Sequence, residues 1–239
     1  MIYRSGTEFV NFYVLEEDGA VTVVDAGMPS YIDILGETLR GIGLSFAAVR
    51  GVVLTHVDPD HVGFAANLQS EHRIPVFVHH LDADRARAGS GKRSEEPMQI
   101  GDLLEHGYGR RVAEHFATTG GVAVMAPIQD VTEIGDGDEL PLPGRLRVVH
   151  TPGHSDGHCV FVASAEDAIF IGDALTNRDL MTGEPGPRVP GPAGTVSTQQ
   201  ARESLVRLEV LPQPNLYFGH GDPWNDGTIA AVVEARKSW

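Results

Sequence analysis

The segment Thr55-His56-Val57-Asp58-Pro59-Asp60-His61 follows directly on the apolar run Gly51-Val52-Val53-Leu54. Such a run reads as a short core strand, and Pro59 prevents the chain from simply continuing it. Two imidazoles and two carboxylates, His56, Asp58, Asp60 and His61, are therefore expected on a loop rooted in a rigid sheet, where side chains remain able to converge. Borderline nitrogen and hard oxygen donors together suit zinc, iron or manganese better than calcium or magnesium. A polar turn that merely caps the next helix accounts for Asp60 and leaves both histidines and Asp58 unexplained.

Four further segments repeat the pattern of an apolar run ending in a ligand-type residue beside a glycine. They are Val21-Thr22-Val23-Val24-Asp25-Ala26-Gly27, Val148-Val149-His150-Thr151-Pro152-Gly153-His154, Ala168-Ile169-Phe170-Ile171-Gly172-Asp173 and Leu216-Tyr217-Phe218-Gly219-His220-Gly221-Asp222. One such ending is common, but five in one chain are hard to read as core histidines and helix caps.

With these residues in place the sequence resembles the metallo-β-lactamase superfamily. The five motifs of that family stand in order, with Asp25 in the first, His56 to His61 in the second, His154 in the third, Asp173 in the fourth and His220 in the fifth. The resemblance implies an α+β fold, a four-layer αββα sandwich of two mixed sheets with helices outside and a dinuclear metal site along one edge. It assigns one metal to His56, the residue at 58 and His154. The second falls to Asp60, His61 and His220, with Asp173 bridging the two ions. Asp25 would orient a ligand by hydrogen bonding rather than touch metal, and His158 would support or pack.

Position 58 departs from the family, whose hydrolases have HxHxDH where this chain reads HxDxDH. An aspartate is shorter than an imidazole, so coordination by Asp58 is expected to need a shifted backbone, a shifted metal or a bridging water. It also adds negative charge, which favours iron or manganese over an all-zinc pair and raises the pKa of a bridging water. Two divalent ions, zinc by family habit, are the implied cofactors. Asp173 resembles the branch that contains glyoxalase II, lactonases and other ester or thioester hydrolases, whereas family members acting on β-lactams carry Cys or Ser there.

The activity so implied is hydrolysis of a lactone, ester or thioester carbonyl by a metal-bridging hydroxide, with Asp60 taking or passing a proton as well as binding metal. A second reading is a diiron redox protein of the same superfamily, which would need a separate flavin-binding partner. A third is a metal-binding protein without catalysis.

Composition agrees with a small-molecule enzyme. At 239 residues and 41% hydrophobic content the chain can bury a full core as one domain, 1–239. The single cysteine, Cys159, excludes an intramolecular disulfide, favours an intracellular, cytoplasmic setting, and reads as a small core residue. No signal peptide or membrane-length apolar run is evident. A formal net charge of -15 argues against nucleic acid as a partner, because phosphate neutralisation requires clustered Lys and Arg.

The elements that must position these residues follow from pattern. Strands are expected near Phe9 to Leu15, Val21 to Val24, Val52 to Leu54 and Ile74 to Val78, and at His158 to Val162, which alternates like a half-buried strand. Helices are expected near Tyr31 to Gly41, His61 to Ser70, Gly101 to Ala117, Thr198 to Leu211 and Gly227 to Lys237. From about Asp82 to Gln129 the ligand motifs stop, and a helical insertion is expected to form a lid that sets substrate choice and adds little to metal binding. Tyr108, Phe116, Met98 and Met125 are its candidate apolar contacts. His79 and His80 are read as supporting or surface residues, Arg178 and Arg188 as candidates for substrate anions, and Thr182 to Pro192 as a loop too rich in Pro and Gly for a regular element.

Overall fold

The computed structural model describes residues 1–91, 94–96, 100–121 and 125–238. Its first sheet runs in chain order, β1 (Ile2–Gly6), β2 (Asn11–Glu17), β3 (Ala20–Val24), β4 (Val49–Val53), β5 (Val76–His79) and β6 (Val131–Ile134). The first three are antiparallel neighbours. From β3 onward the pairing is parallel. Asp18 and Gly19 close the β2–β3 hairpin, both with positive φ (51° and 76°), the conformation that a two-residue turn of matching twist requires.

The second sheet contains β7 (Arg147–His150), β8 (Cys159–Ala163) and β9 (Ala168–Gly172), all antiparallel. A short ribbon, β10 (Thr176–Arg178) with β11 (Pro185–Arg188), precedes β12 (Asn215–Phe218), which joins β9 in parallel. The ribbon corrects the expectation that Thr182 to Pro192 lacks regular structure. Pro185 sits at the end of β11, where a missing N–H costs little, and Gly183 and Gly186 adopt positive φ around it.

Helices α1 (Ile32–Gly41), α2 (Pro59–Val62), α3 (Ala65–His72), α4 (Ala83–Ala88), α5 (Ile100–Glu105) and α6 (Gly107–Thr119) belong to the first half. The second half carries α7 (Thr198–Ser204), α8 (Val206–Glu209) and α9 (Gly227–Arg236). Three separate apolar clusters define the layers. Alternate residues of β2 go to opposite faces, as the strand period demands: Phe12 and Val14 meet Leu35, Leu39 and Leu68 of α1 and α3. Tyr13 and Leu15 face Val148, Phe161 and Phe170 of the second sheet. On the far side, Val160, Val162, Ile169 and Ile171 pack on Leu205, Leu208, Ala231 and Val232. A sheet buried on both faces needs the valine-rich strands this sequence has. The result is the αββα order.

Two elements differ locally from their sequence reading. The expected helix from His61 is two helices, broken at Gly63, where a Cβ would fall 2.2 Å from the Met28 carbonyl carbon and 2.3 Å from the Gly27 oxygen. The expected helix from Gly101 is likewise split, with His106 extended (φ -98°, ψ 141°) between α5 and α6. Among the described residues no helix is long and apolar enough to cross a membrane.

Candidate metal centre

The carboxyl ends of β4, β9 and β12 and the loop after β7 meet at one edge of the sandwich. Beyond β4 the chain bends at Thr55 and His56 and is extended at Asp58 (φ -119°, ψ 155°), and Pro59 then opens α2 at the position where its fixed φ is an advantage. Asp60 therefore lies on the first turn of α2 rather than on a loop, and His61, where a helix was expected to begin, lies on the same turn. The helical turn directs both toward the cluster.

Two sets of three side chains come together. One ligand atom each from His56, His154 and Asp173 lie within 4.8 Å of one another, and the same holds for Asp60, His61 and His220. Asp173 links the two sets, with Oδ2 3.2 Å from His220 Nε2 and 3.7 Å from His154 Nε2, and Oδ1 3.6 Å from His61 Nε2. Asp60 Oδ2 lies 3.4 Å from His220 Nε2. Asp58 stands outside the tight set of three, yet its Oδ2 is 3.5 Å from His56 Nε2 and 3.4 Å from His154 Nε2. Donors around a tetrahedral ion with bonds of about 2.1 Å are about 3.4 Å apart. Asp58 Oδ2 therefore stands at donor spacing from both imidazoles.

Each imidazole is held by its other nitrogen. His61 Nδ1 donates to Asp25 Oδ2 at 3.0 Å, and His220 Nδ1 donates to the Phe9 carbonyl at 2.6 Å. His56 Nδ1 meets Thr55 Oγ1 at 3.0 Å, while that hydroxyl donates on to Asp25. Thr195 Oγ1 lies 3.4 Å from His154 Nδ1. These partners fix the tautomer that turns Nε2 inward. Asp25 adopts φ +59°, which turns its carboxylate back under the second motif to take the Thr55 N–H as well. His158 is buried, binds Thr151 Oγ1 through Nδ1 and accepts the Asp173 N–H at Nε2 (3.1 Å), so it supports the bridging residue from behind.

The donor set fits a cation. His56 Nε2, His61 Nε2 and Asp173 Oδ1 are buried with no hydrogen-bond partner among the described residues, a burden of about 1–3 kcal/mol each unless a ligand meets them. Burial alone would lower the pKa of His61, but Asp173, Asp60 and Asp25 outweigh it and push it up to about 10. His220 follows the same logic: burial lowers it, and Asp173 and Asp60 raise it further. His56 goes the other way, held well below its ordinary value by burial and by His61. Burial works against ionised Asp173, but His220 and His61 prevail and keep its carboxyl well below the usual range. Positive charge is favoured between the carboxylates. Solvent reaches the cluster on the acidic side, where the Asp58 and Asp60 side chains are 15% and 11% exposed while those of His56 and His61 are 0%.

Beside the second set stands an aromatic wall. Phe9, whose carbonyl holds His220, packs on Tyr108 (ring centroids 5.5 Å apart) and His115 (4.9 Å). His115 Nε2 in turn meets Tyr31 Oη at 2.5 Å. Tyr108 and Phe116 are partly buried against the first-half core and Met125 is buried within it, so all three pack on the sandwich. Met98 lies outside the described residues. Arg178 and Arg188 are engaged elsewhere, Arg178 with Asp222 and the Gly183 carbonyl, Arg188 with Asp179 and Glu184. Arg178 also lies over the Tyr108 ring, 6.0 Å from its centroid. His79 is buried and stacks on His150 (4.2 Å, 13°), with His80 at 4.4 Å.

Sequence reasoning missed Asp82 and Arg85. The Arg85 guanidinium donates to Asp82 Oδ1 (3.0 Å) and to the Val57 carbonyl, and its Nη2 lies 3.5 Å from Asp58 Oδ1. Asp82, buried, accepts from Ser155 Oγ (2.6 Å) and Gly157 N (3.2 Å). Only the i, i+3 spacing of Asp82 and Arg85 was visible in advance, and such pairs are usually solvated.

Residues 5–220 match the family model described as the metallo-beta-lactamase superfamily. The chain belongs to that superfamily. Across 226 residues it is 23% identical to the "Probable metallo-hydrolase YflN" of Bacillus subtilis (strain 168), covering 90% of this chain and 82% of the relative. It is 27% identical over 241 residues to a "Hydroxyacylglutathione hydrolase" of Halorhodospira halophila (strain DSM 244 / SL1), with 95% of this chain and 72% of that one covered. Among solved structures it is similar to TTHA1623 "in a di-iron-bound form", at a TM-score of 0.64 and 25% identity over 97% of this chain and 98% of that one. The superfamily is one of metallo-hydrolases, and the candidate ligand groups above are those of a divalent-metal site.

Proposed function

We propose that this chain is a dinuclear metal-dependent hydrolase of lactone, ester or thioester substrates. The observation that carries the reading is Asp173, whose two oxygens face His61 on one side and His154 and His220 on the other. A carboxylate so flanked suits a bridge between two cations, with His56, Asp58 and His154 for the first and Asp60, His61 and His220 for the second. When bound, such ions supply a water acidic enough to act at neutral pH and a Lewis acid for the carbonyl oxygen.

The protein's own groups do the rest. Asp60, at the solvent side, is the residue proposed to take or pass the proton. The Phe9, Tyr108 and His115 wall offers an apolar and aromatic surface for the acyl or leaving group. Similarity to a hydroxyacylglutathione hydrolase supports a thioester within the substrate class. The acidic surface favours small uncharged or weakly charged substrates over nucleic acid.

A second reading is redox chemistry at a diiron centre. The carboxylate at position 58 and the likeness to a protein crystallised in a di-iron-bound form favour it. One experiment separates the two: metal analysis of the purified protein together with turnover of a panel of lactones, thioesters and phosphodiesters. Two metals per chain with lactone or thioester turnover supports the hydrolase. Two irons without hydrolysis of any member sinks it.

A further inference from the structure

Asp58 is the family's exception, and the structure surrounds that exception with residues from the insertion. A lone aspartate on a two-bond stem can rotate, chelate through both oxygens, or turn to solvent. Here Oδ2 faces His56 and His154, while Oδ1 faces the Arg85 guanidinium at 3.5 Å. Arg85 is itself fixed at three points, by Asp82 Oδ1, by the Val57 carbonyl next to Asp58, and by the α4 backbone from which it projects. Asp82 extends the link to Ser155 Oγ and Gly157 N in the loop that carries His154. Gly157 is required there, because a Cβ would fall 2.7 Å from Asp82 Cγ. The loop of the second motif and the loop of the third are thus tied together through two residues at the start of the insertion.

We propose that Arg85 is the positioning residue that makes an aspartate at 58 serve as the third donor of the first metal site, by holding Oδ1 so that Oδ2 alone is presented between His56 and His154. The inference rests on the dinuclear reading above and goes beyond it, because it names what accompanies the change from histidine. A histidine at 58 gains nothing from a guanidinium, since the nitrogen it turns away from the metal carries a proton and needs an acceptor. Charge is a lesser part of the effect: Arg85 offsets the added carboxylate, but Asp82 claims a share of the same cation. Direction is what a planar guanidinium held by several acceptors supplies.

The test is a double-mutant cycle read by metal binding. Metal-free parent, Arg85→Met, Arg85→Lys, Asp58→His and the Asp58→His/Arg85→Met double variant are titrated with Zn2+ against a chromophoric chelator, and with Co2+ to record the visible spectrum of each site. Arg85→Met is expected to weaken one of the two sites roughly 10 to 100-fold and leave the other unchanged, the scale on which partners of ligands act. Arg85→Lys should recover part of that loss, and in the Asp58→His background Arg85→Met should change affinity less than about twofold. Should methionine at this position prevent folding, judged by circular dichroism, Arg85→Gln takes its place in the cycle, keeping a donor for the Val57 carbonyl without the charge. Parental affinities in Arg85→Met overturn the inference, as does an equal loss in both backgrounds, which would mark Arg85 as a general brace. A parent that takes up no metal overturns the dinuclear reading and this inference together, whereas the first two results leave that reading standing.

Discussion

Asp25 Oδ2 and His61 Nδ1 are 36 residues apart in the chain and 3.0 Å apart in space, and the same carboxylate also receives the Thr55 backbone N–H. One buried acid therefore orients His61 directly and His56 through the Thr55 hydroxyl. Asp25→Ala is expected to lower zinc affinity about 10 to 100-fold while still allowing two ions to bind at high concentration. Asp173→Ala should lose the two-metal cluster and hydrolysis altogether. Inductively coupled plasma analysis after identical dialysis distinguishes them, and equal metal loss in the two variants would mean that Asp25 is itself a ligand.

Gly219 offers a sharper steric test. A Cβ at this position would lie 2.4 Å from Asp173 Oδ1 and 2.5 Å from His61 Cε1. Gly219→Ala should displace both and reduce hydrolytic kcat/KM by at least about 100-fold, or about 2.7 kcal/mol of transition-state stabilisation. Retention of full activity with two metals would show that the packing behind the cluster is looser than described.

His79 carries a pH prediction. Burial, and then the neighbouring His150 and His80, lower its pKa to about 4 despite Asp136 and Asp138 nearby. The unfolded chain, with an ordinary histidine near 6.5, binds the extra proton first. Stability from this group is complete above about 6.5 and lost as pH falls from there toward about 4. The parent should lose about 1–2 kcal/mol more than His79→Gln between pH 7.5 and pH 5, a few degrees in Tm for a chain of this size. Parallel Tm-against-pH curves for the two proteins would refute the assignment.

Tyr108 tests the aromatic wall. Tyr108→Ala should raise KM for an acyl substrate about tenfold, roughly 1.4 kcal/mol, while leaving metal content unchanged. A fall in kcat with constant KM would place Tyr108 in the chemistry instead of the pocket.

What the sequence disclosed and what it withheld divide along range. His56, Asp60, His61, His154, Asp173 and His220 were legible because each follows an apolar run, and the strand that precedes it determines where it emerges. The layers were legible in the alternation of Phe12, Tyr13, Val14 and Leu15. Arg85 was not, because its contact with Asp58 crosses from α4 to the second motif, and no local spacing records such a pairing. For the same reason the insertion read only as a lid: no local spacing shows that its first residues, Asp82 and Arg85, hydrogen-bond to the loops of the second and third motifs. The ribbon of β10 and β11 escaped notice because Pro and Gly suppress the usual strand signals, and an edge pairing tolerates both.

The ligand segments hang from both sheets: His56, Asp60 and His61 follow β4, while His154, Asp173 and His220 follow β7, β9 and β12. Cations shared among them are rivets through two plates. An ion present at roughly 1,000 times its dissociation constant adds about 4 kcal/mol against separation of the plates. A chain stripped of such ions would open more often, and a chain that opens more often meets proteases more often.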